Sequence, residues 1–301
     1  MTQPEAAQEK QRAAVLSMLA ALGLTAIKLT IGLYTNSLGM LSEALHSGID
    51  LLAAGLTLLA VHISSQPADE RHAFGHGKAE NLSALAQTLL LFMTCTWVAW
   101  EGIHRLLEGA SPMHPSLWCV GVMLLSMAVD INRVRVLRRV AREHDSQALE
   151  ADALHFSTDI LSSAVVLAGV LAVWLAERLH IPATLHHVLL QADTIAALLV
   201  AFIIFITSLR LAAEAINILM DAAPPAAKAA IQKAVMAVPG VLAVQKLRVR
   251  RSGSQYFIQM RIGVLASQKL EEAHSLAHAA EKAVCTIFPD ADVIVHIEPL
   301  K

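Results

Sequence analysis

Residues 42–50 read SEALHSGID, and residues 151–159 read ADALHFSTD. Aligned, both give acid–Ala–Leu–His–x–x–x–Asp, with Glu43, His46 and Asp50 in the first copy and Asp152, His155 and Asp159 in the second. Leu52 and Leu161 follow two residues past each Asp. A His and an Asp four apart lie on one face of a helix. Two such helices facing each other bring two imidazoles and two carboxylates together, the N2O2 set that a tetrahedral divalent metal takes. The plainer reading is that each polar residue bonds to a neighbouring helix. Ionisable residues in apolar runs are expensive and usually functional, and here the cluster occurs twice in matched form. Glu43 and Asp152, nearly on the same face as each His, read as acceptors behind the imidazoles, proton carriers or helix-end charges.

The rest of the chain fits a bilayer. Of 301 residues, 55% are hydrophobic and 16% charged, with mean hydropathy +0.55. This is a polytopic α-helical membrane protein with one smaller polar region. A net charge of −2 suggests no nucleic-acid partner. Cys95, Cys119 and Cys285 are scattered and give neither a disulfide framework nor a thiolate zinc site. Fourteen histidines against two tyrosines point towards metal or protons. The start, MTQPEAAQEKQR, is polar, and the first apolar run reads as a retained span.

Six stretches, near 13–34, 39–62, 82–105, 115–136, 152–178 and 191–212, are long enough to cross a membrane. Arg71 and Lys78 follow the second, and Arg133, Arg135, Arg138, Arg139 and Arg142 follow the fourth. The other side has little beyond Arg105 and Arg178, so both termini are expected in the cytoplasm. Spans two and five then run antiparallel, which is a common transporter plan with its site near the midplane. Between spans two and three, Asp69-x2-His72-x3-His76 is a compact ligand cluster, with Gly75 and Gly77 letting the backbone fold back. A solvated loop with two chance histidines is the alternative. The outward loop with His180, His186 and His187 reads as solvated.

After Asp221 the character changes. Residues 222–226, AAPPA, form a break, and 226–238 have helical spacing that Pro239-Gly240 stops. Residues 241–251 and 255–265 read as strands around a Ser252-Gly253-Ser254 turn. Residues 268–287 form an amphipathic helix, and 292–299 a last strand. The order αββαβ predicts a small α+β domain that dimerisation would help to stabilise. The expected division is a tail (1–12), a six-helix transmembrane domain (13–221) and a cytoplasmic domain (222–301).

With these stretches in hand, the chain resembles the cation diffusion facilitator family over essentially its whole length. SEALHSGID, QPADERHAFGHGKAE, ALHFSTD, PGVLAVQKLRVRRSG and DVIVHIEP carry the resemblance, the second being the most specific. It is similar to the bacterial zinc- and iron-efflux members. The resemblance implies a homodimer of six-span protomers in the bacterial inner membrane, with a ferredoxin-like cytoplasmic domain, that exports divalent transition metal against protons. It implies a transport site at His46, Asp50, His155 and Asp159, a loop site at Asp69, His72 and His76, and a dimer interlock at Lys78 and Asp221. Many bacterial relatives have Asp where His46 stands, and the His–Asp pairs are the pattern of zinc-preferring members. In the cytoplasmic domain His274, His296 and Glu298 match ligand positions of the family's binuclear site. Gln245 and Arg261 stand at two others, and a guanidinium cannot ligate, so one weaker site or none is expected there.

A cage of two imidazoles and two carboxylates suits Zn2+, while imidazole also serves Co2+, Ni2+ and Fe2+. A ligating His must be neutral, so protons compete with the metal and can drive the exchange. Zn2+ is the expected substrate and H+ the counter-ion, with no catalytic cofactor. The chain has no HExxH, and four protein ligands leave no position for a catalytic water, which argues against a metalloenzyme. A membrane metal sensor without transport is the other rival; a sensing site has no need of burial in hydrocarbon.

Overall fold

The computed structural model describes residues 3–35, 38–108, 117–178 and 183–300. Six long helices come first: α1 (Gln3–Thr35), α2 (Leu38–Ser64), α3 (Lys78–Glu108), α4 (Leu117–Glu143), α5 (Gln147–Arg178) and α6 (Ala183–Leu219). Among the described residues, Glu5–Tyr34, Ala44–Ser64, Lys78–His104 and Ala201–Leu219 are long and apolar enough to cross a membrane. α4 and α5 occupy the other two positions expected from the sequence. His180 and the side chains of Glu43, His186 and His187 lie outside the described residues.

Small side chains bring the helices together. Ala13, Ala14, Ala21, Ala54, Ala60, Ala141, Ala148 and Ala153 are buried around Leu137, Leu149 and Phe156, which joins α1, α2, α4 and α5. A second cluster, Ala84, Ala151, Leu211 and Ala215, joins α3, α5 and α6. Helices in lipid gain little from hiding leucine from leucine, so close backbone approach through alanine is the attractive contact left to them. The large residues point the other way: Leu16, Leu19, Leu33, Leu52, Trp97, Trp100 and Phe202 are all exposed. So wide an apolar exterior calls for hydrocarbon or another protein surface against it.

The interior also holds polar bonds. Arg133 donates to Asp130 Oδ1 and Ser17 Oγ, both at 3.0 Å, and lies 3.5 Å from the centre of the Phe156 ring. The sequence reading placed Arg133 in a loop after span four. That placement is corrected here: α4 runs on to Glu143, and Arg133 is buried inside the bundle. Ser17 in turn donates to Asp152 at 2.9 Å, which ties α1 to α5.

The C-terminal unit is α7 (Pro225–Met236), β1 (Ala243–Ser252), β2 (Gln255–Leu265), α8 (Leu270–Ile287) and β3 (Asp292–Leu300). Pro225 starts α7, where its missing N–H costs nothing. The sheet order is β1-β2-β3, with β1 antiparallel and β3 parallel to the central strand. β2 covers the residues expected of it, 255–265. Ile231, Val235, Ile258, Ile262, Ala280 and Val284 form the core between sheet and helices.

The two units meet around the α2–α3 loop. Phe74 packs edge-on against Phe257 at 5.3 Å between ring centres, and the Arg250 guanidinium lies 3.6 Å over Phe74. Arg251 donates to the Asp145 carbonyl at 2.6 Å. Gly77 meets the β1–β2 turn so closely that a Cβ there would stand 2.5 Å from the Ser252 carbonyl oxygen. Gly77→Ala is therefore expected to destabilise the chain by about 1–3 kcal/mol, because backbone must shift to make room. A lowered melting temperature of the detergent-solubilised chain would register it. An unchanged one would mean that the two backbones do not touch.

Candidate metal centre

The two His-x3-Asp motifs fall on α2 and α5, one helical turn from His to Asp in each. The helices bring them face to face. His155 Nε2 lies 3.1 Å from Asp50 Oδ1 and 3.9 Å from Asp159 Oδ2. His46 Nε2 lies 3.7 Å from Asp159 Oδ1 and 4.0 Å from Asp50 Oδ1. Each imidazole thus faces both carboxylates, and the ligand atoms of His46, Asp50 and Asp159 are all within 4.8 Å of one another. The four side chains together offer two imidazole nitrogens and two carboxylates, a donor set that a tetrahedral ion accepts, and His155 stands outside the three-residue group. The His155 side chain is 2% exposed and that of His46 41%, so the set is deep on one side and open on the other.

The surroundings hold these side chains in place. Lys28 of α1 is buried and donates to Ser47 Oγ at 2.8 Å, the residue after His46. Asp152 is fully buried one turn before His155 and bound to Ser17, which fixes that turn of α5. Asp130, Arg133 and Lys28 were not singled out beside this set in the sequence. Their one signal is charge inside an apolar run, which marks importance and names no partner.

The loop cluster forms on its own. His72 Nδ1 lies 3.2 Å and His76 Nε2 3.5 Å from the Asp69 carboxylate. The backbone N–H groups of His72 and Arg71 donate to Asp69 Oδ1 at 2.5 and 2.9 Å, and the His72 bond above all holds this carboxyl below its ordinary range. Gly75, at φ 72°, makes the reversal that returns His76 to Asp69. His76 Nδ1 lies 3.2 Å from the Pro67 carbonyl, which can only accept. A bond there has Nδ1 as its donor, and the ring then turns Nε2 toward Asp69.

Lys78 Nζ donates to Asp221 Oδ1 at 2.8 Å, joining the start of α3 to the residue that ends the bundle. This bond, more than the nearby Arg250, keeps the Asp221 carboxyl below the usual range. In the C-terminal unit Gln245 pairs in register with Arg261, and Arg261 with His296. Arg261 donates to Glu298 at 2.6 Å. His274 packs against His278, with ring centres 4.6 Å apart. Among the described residues of one chain, His274, His296 and Glu298 do not converge into a three-ligand group.

Each of the two units matches a known family profile. The family profile described as "Cation efflux transmembrane domain" matches residues 14–220, and "Cation efflux protein, cytoplasmic domain" matches 223–300. A protein named "Cation-efflux pump FieF" from Cronobacter sakazakii is 35% identical over 289 residues, 96% of this chain and 92% of that one. Its namesake from Yersinia pestis is 34% identical over 297 residues, 98% of this chain and 95% of that one. Among solved structures, a nickel form of the MamM C-terminal domain is 32% identical and covers 26% of this chain and 100% of its own, with a TM-score of 0.25.

Proposed function

Because the chain belongs to the cation efflux family of membrane transporters, we propose that it exports Zn2+ from the cytoplasm in exchange for protons, through His46, Asp50, His155 and Asp159. The observation that carries this reading is the meeting of two imidazoles and two carboxylates, each His Nε2 within 4.0 Å of both Asp side chains. Zinc has no ligand-field preference and accepts such a set, whereas Mg2+ and Mn2+ favour more oxygen. Co2+, Ni2+ and Fe2+ share the ligand chemistry and are the alternative substrates.

Coupling follows from the same atoms. A metal entering from the cytoplasm displaces protons from His46 and His155, since an imidazole binds one or the other. α2 and α5 then tilt, the set opens outward, and external protons release the metal. Two copies assemble in the bacterial inner membrane with both termini cytoplasmic. Lys78 and Asp221 brace the joint near the dimer contact. The Arg261–Glu298 pair takes a carboxylate that a metal would need, so the cytoplasmic domain serves chiefly to pack two copies together.

The test is flux into proteoliposomes carrying a pH dye. Zn2+ added outside should enter with lumenal alkalinisation. Preference for Co2+, Ni2+ or Fe2+ would correct the substrate and keep the mechanism. Metal flux with no pH change would remove the proton coupling. Intact binding without flux of any metal would overturn the transport reading in favour of a sensor.

A further inference from the structure

Three clusters of metal-capable side chains stand among the described residues, and two are those of the α2–α5 set and the loop. The third is Glu9 on α1 with Glu143 and His144 at the end of α4. We propose that Glu9, Glu143 and His144 bind a divalent transition-metal ion where the bundle meets the cytoplasmic domain.

The geometry differs from what neighbouring helix residues ordinarily give. Consecutive side chains on a helix diverge by about 100°. Here Glu143 and His144 converge at the C-terminal end of α4, where His144 N–H still bonds to the Val140 carbonyl at 3.1 Å. One ligand atom from each of the three residues lies within 4.8 Å of the others. His144 Nε2 is 3.0 Å from Glu9 Oε2, and the imidazole is 7% exposed, although it sits at a helix end. A surface ion pair would leave that ring in water. Lys10, the cation next to Glu9, is bound to Glu80 at 2.7 Å and so does not neutralise this carboxylate.

One imidazole and two carboxylates, completed by water, select a borderline cation such as Zn2+, Co2+ or Fe2+ over Mg2+ or Ca2+. The position suits capture before transport. Glu9 lies about 12 Å along α1 from Ser17, at about 1.5 Å per residue, and Ser17 is bound to Asp152 one turn before His155. The next residue after His144 is Asp145, whose carbonyl accepts from Arg251 of β1. An ion that orders this turn therefore also bears on the joint with the cytoplasmic domain.

The ion's identity as cargo rests on the export reading, but its binding does not. The test uses the full chain in detergent with Asp159→Ala, His72→Ala and His76→Ala, which disables the other two clusters. Equilibrium dialysis against Co2+ and Zn2+, with the visible Co2+ absorption as a second readout, should find one ion retained per chain. Glu143→Gln in that background should weaken it about tenfold or more, and Glu9→Gln with His144→Ala should abolish it. Glu143 is exposed, so its substitution does not threaten the fold. Retention of no ion, or an affinity unmoved by Glu143→Gln, overturns the proposal and leaves a His144–Glu9 ion pair. Flux measured for Glu143→Gln with the α2–α5 set intact reports separately on export.

Discussion

Asp50→Ala is expected to abolish metal flux while the chain still inserts and folds. Asp50 Oδ1 lies 3.1 Å from His155 Nε2, closer than the Asp159 carboxylate, and 4.0 Å from His46 Nε2. Removing it takes one of two anions from the set and leaves a doubly charged cation facing two imidazoles and one carboxylate. Loss of an outer partner of a metal ligand costs 10–100-fold in affinity, so loss of a ligand itself should cost at least about 100-fold. The side chain is small and lies at an existing polar cluster, so the void should be tolerated far better than one in the alanine core. Zinc uptake into proteoliposomes, run beside a melting curve, separates the two effects. Flux within about tenfold of the parent would remove Asp50 from the transport set.

Lys10→Met is expected to be the most damaging single change outside the α2–α5 set. Lys10 Nζ sits 2.7 Å from Glu80 Oε1, with side-chain exposures of 10% and 1%. Glu80 also accepts from Ser64 Oγ at 2.9 Å and from Ser146 Oγ. One carboxylate thus gathers α1, the end of α2, the start of α3 and the α4–α5 turn. Without the lysine, a buried anion loses its counter-charge, which costs about 3–5 kcal/mol. The double change Lys10→Met with Glu80→Gln removes both charges and should recover much of that loss. Unfolding of the purified chain in mixed micelles measures both. If the double variant is no better than the single, the network matters through hydrogen bonds and not through charge.

The sequence carried much of the site because its period is short. His46–Asp50 and His155–Asp159 are one turn apart, so each pair is legible alone, and the duplication supplied their partner. The strands of the C-terminal domain were legible from alternation between Pro, Gly and Ser breaks. Lys10–Glu80 and Glu9–His144 were not legible, because the partners are 70 and 135 residues apart and neither has a local signature. Arg133 misled for a related reason. Charge counts assign an arginine near a span end to the loop, yet α4 continues and Phe156, Asp130 and Ser17 receive it inside.

Gly77 and Gly253 meet as bare backbone, and a Cβ on Gly253 would lie 3.1 Å from the Gly77 carbonyl oxygen while the residue holds φ 59°. Their fates in a lineage are therefore joined. Once either gains a side chain and the domains part, the second substitution meets less resistance, and the two penalties sum to less than their parts. The pair is a single unit of inheritance spread across two domains. A chimaera that exchanges the C-terminal domain between relatives inherits a working joint only when both halves of the contact keep glycine.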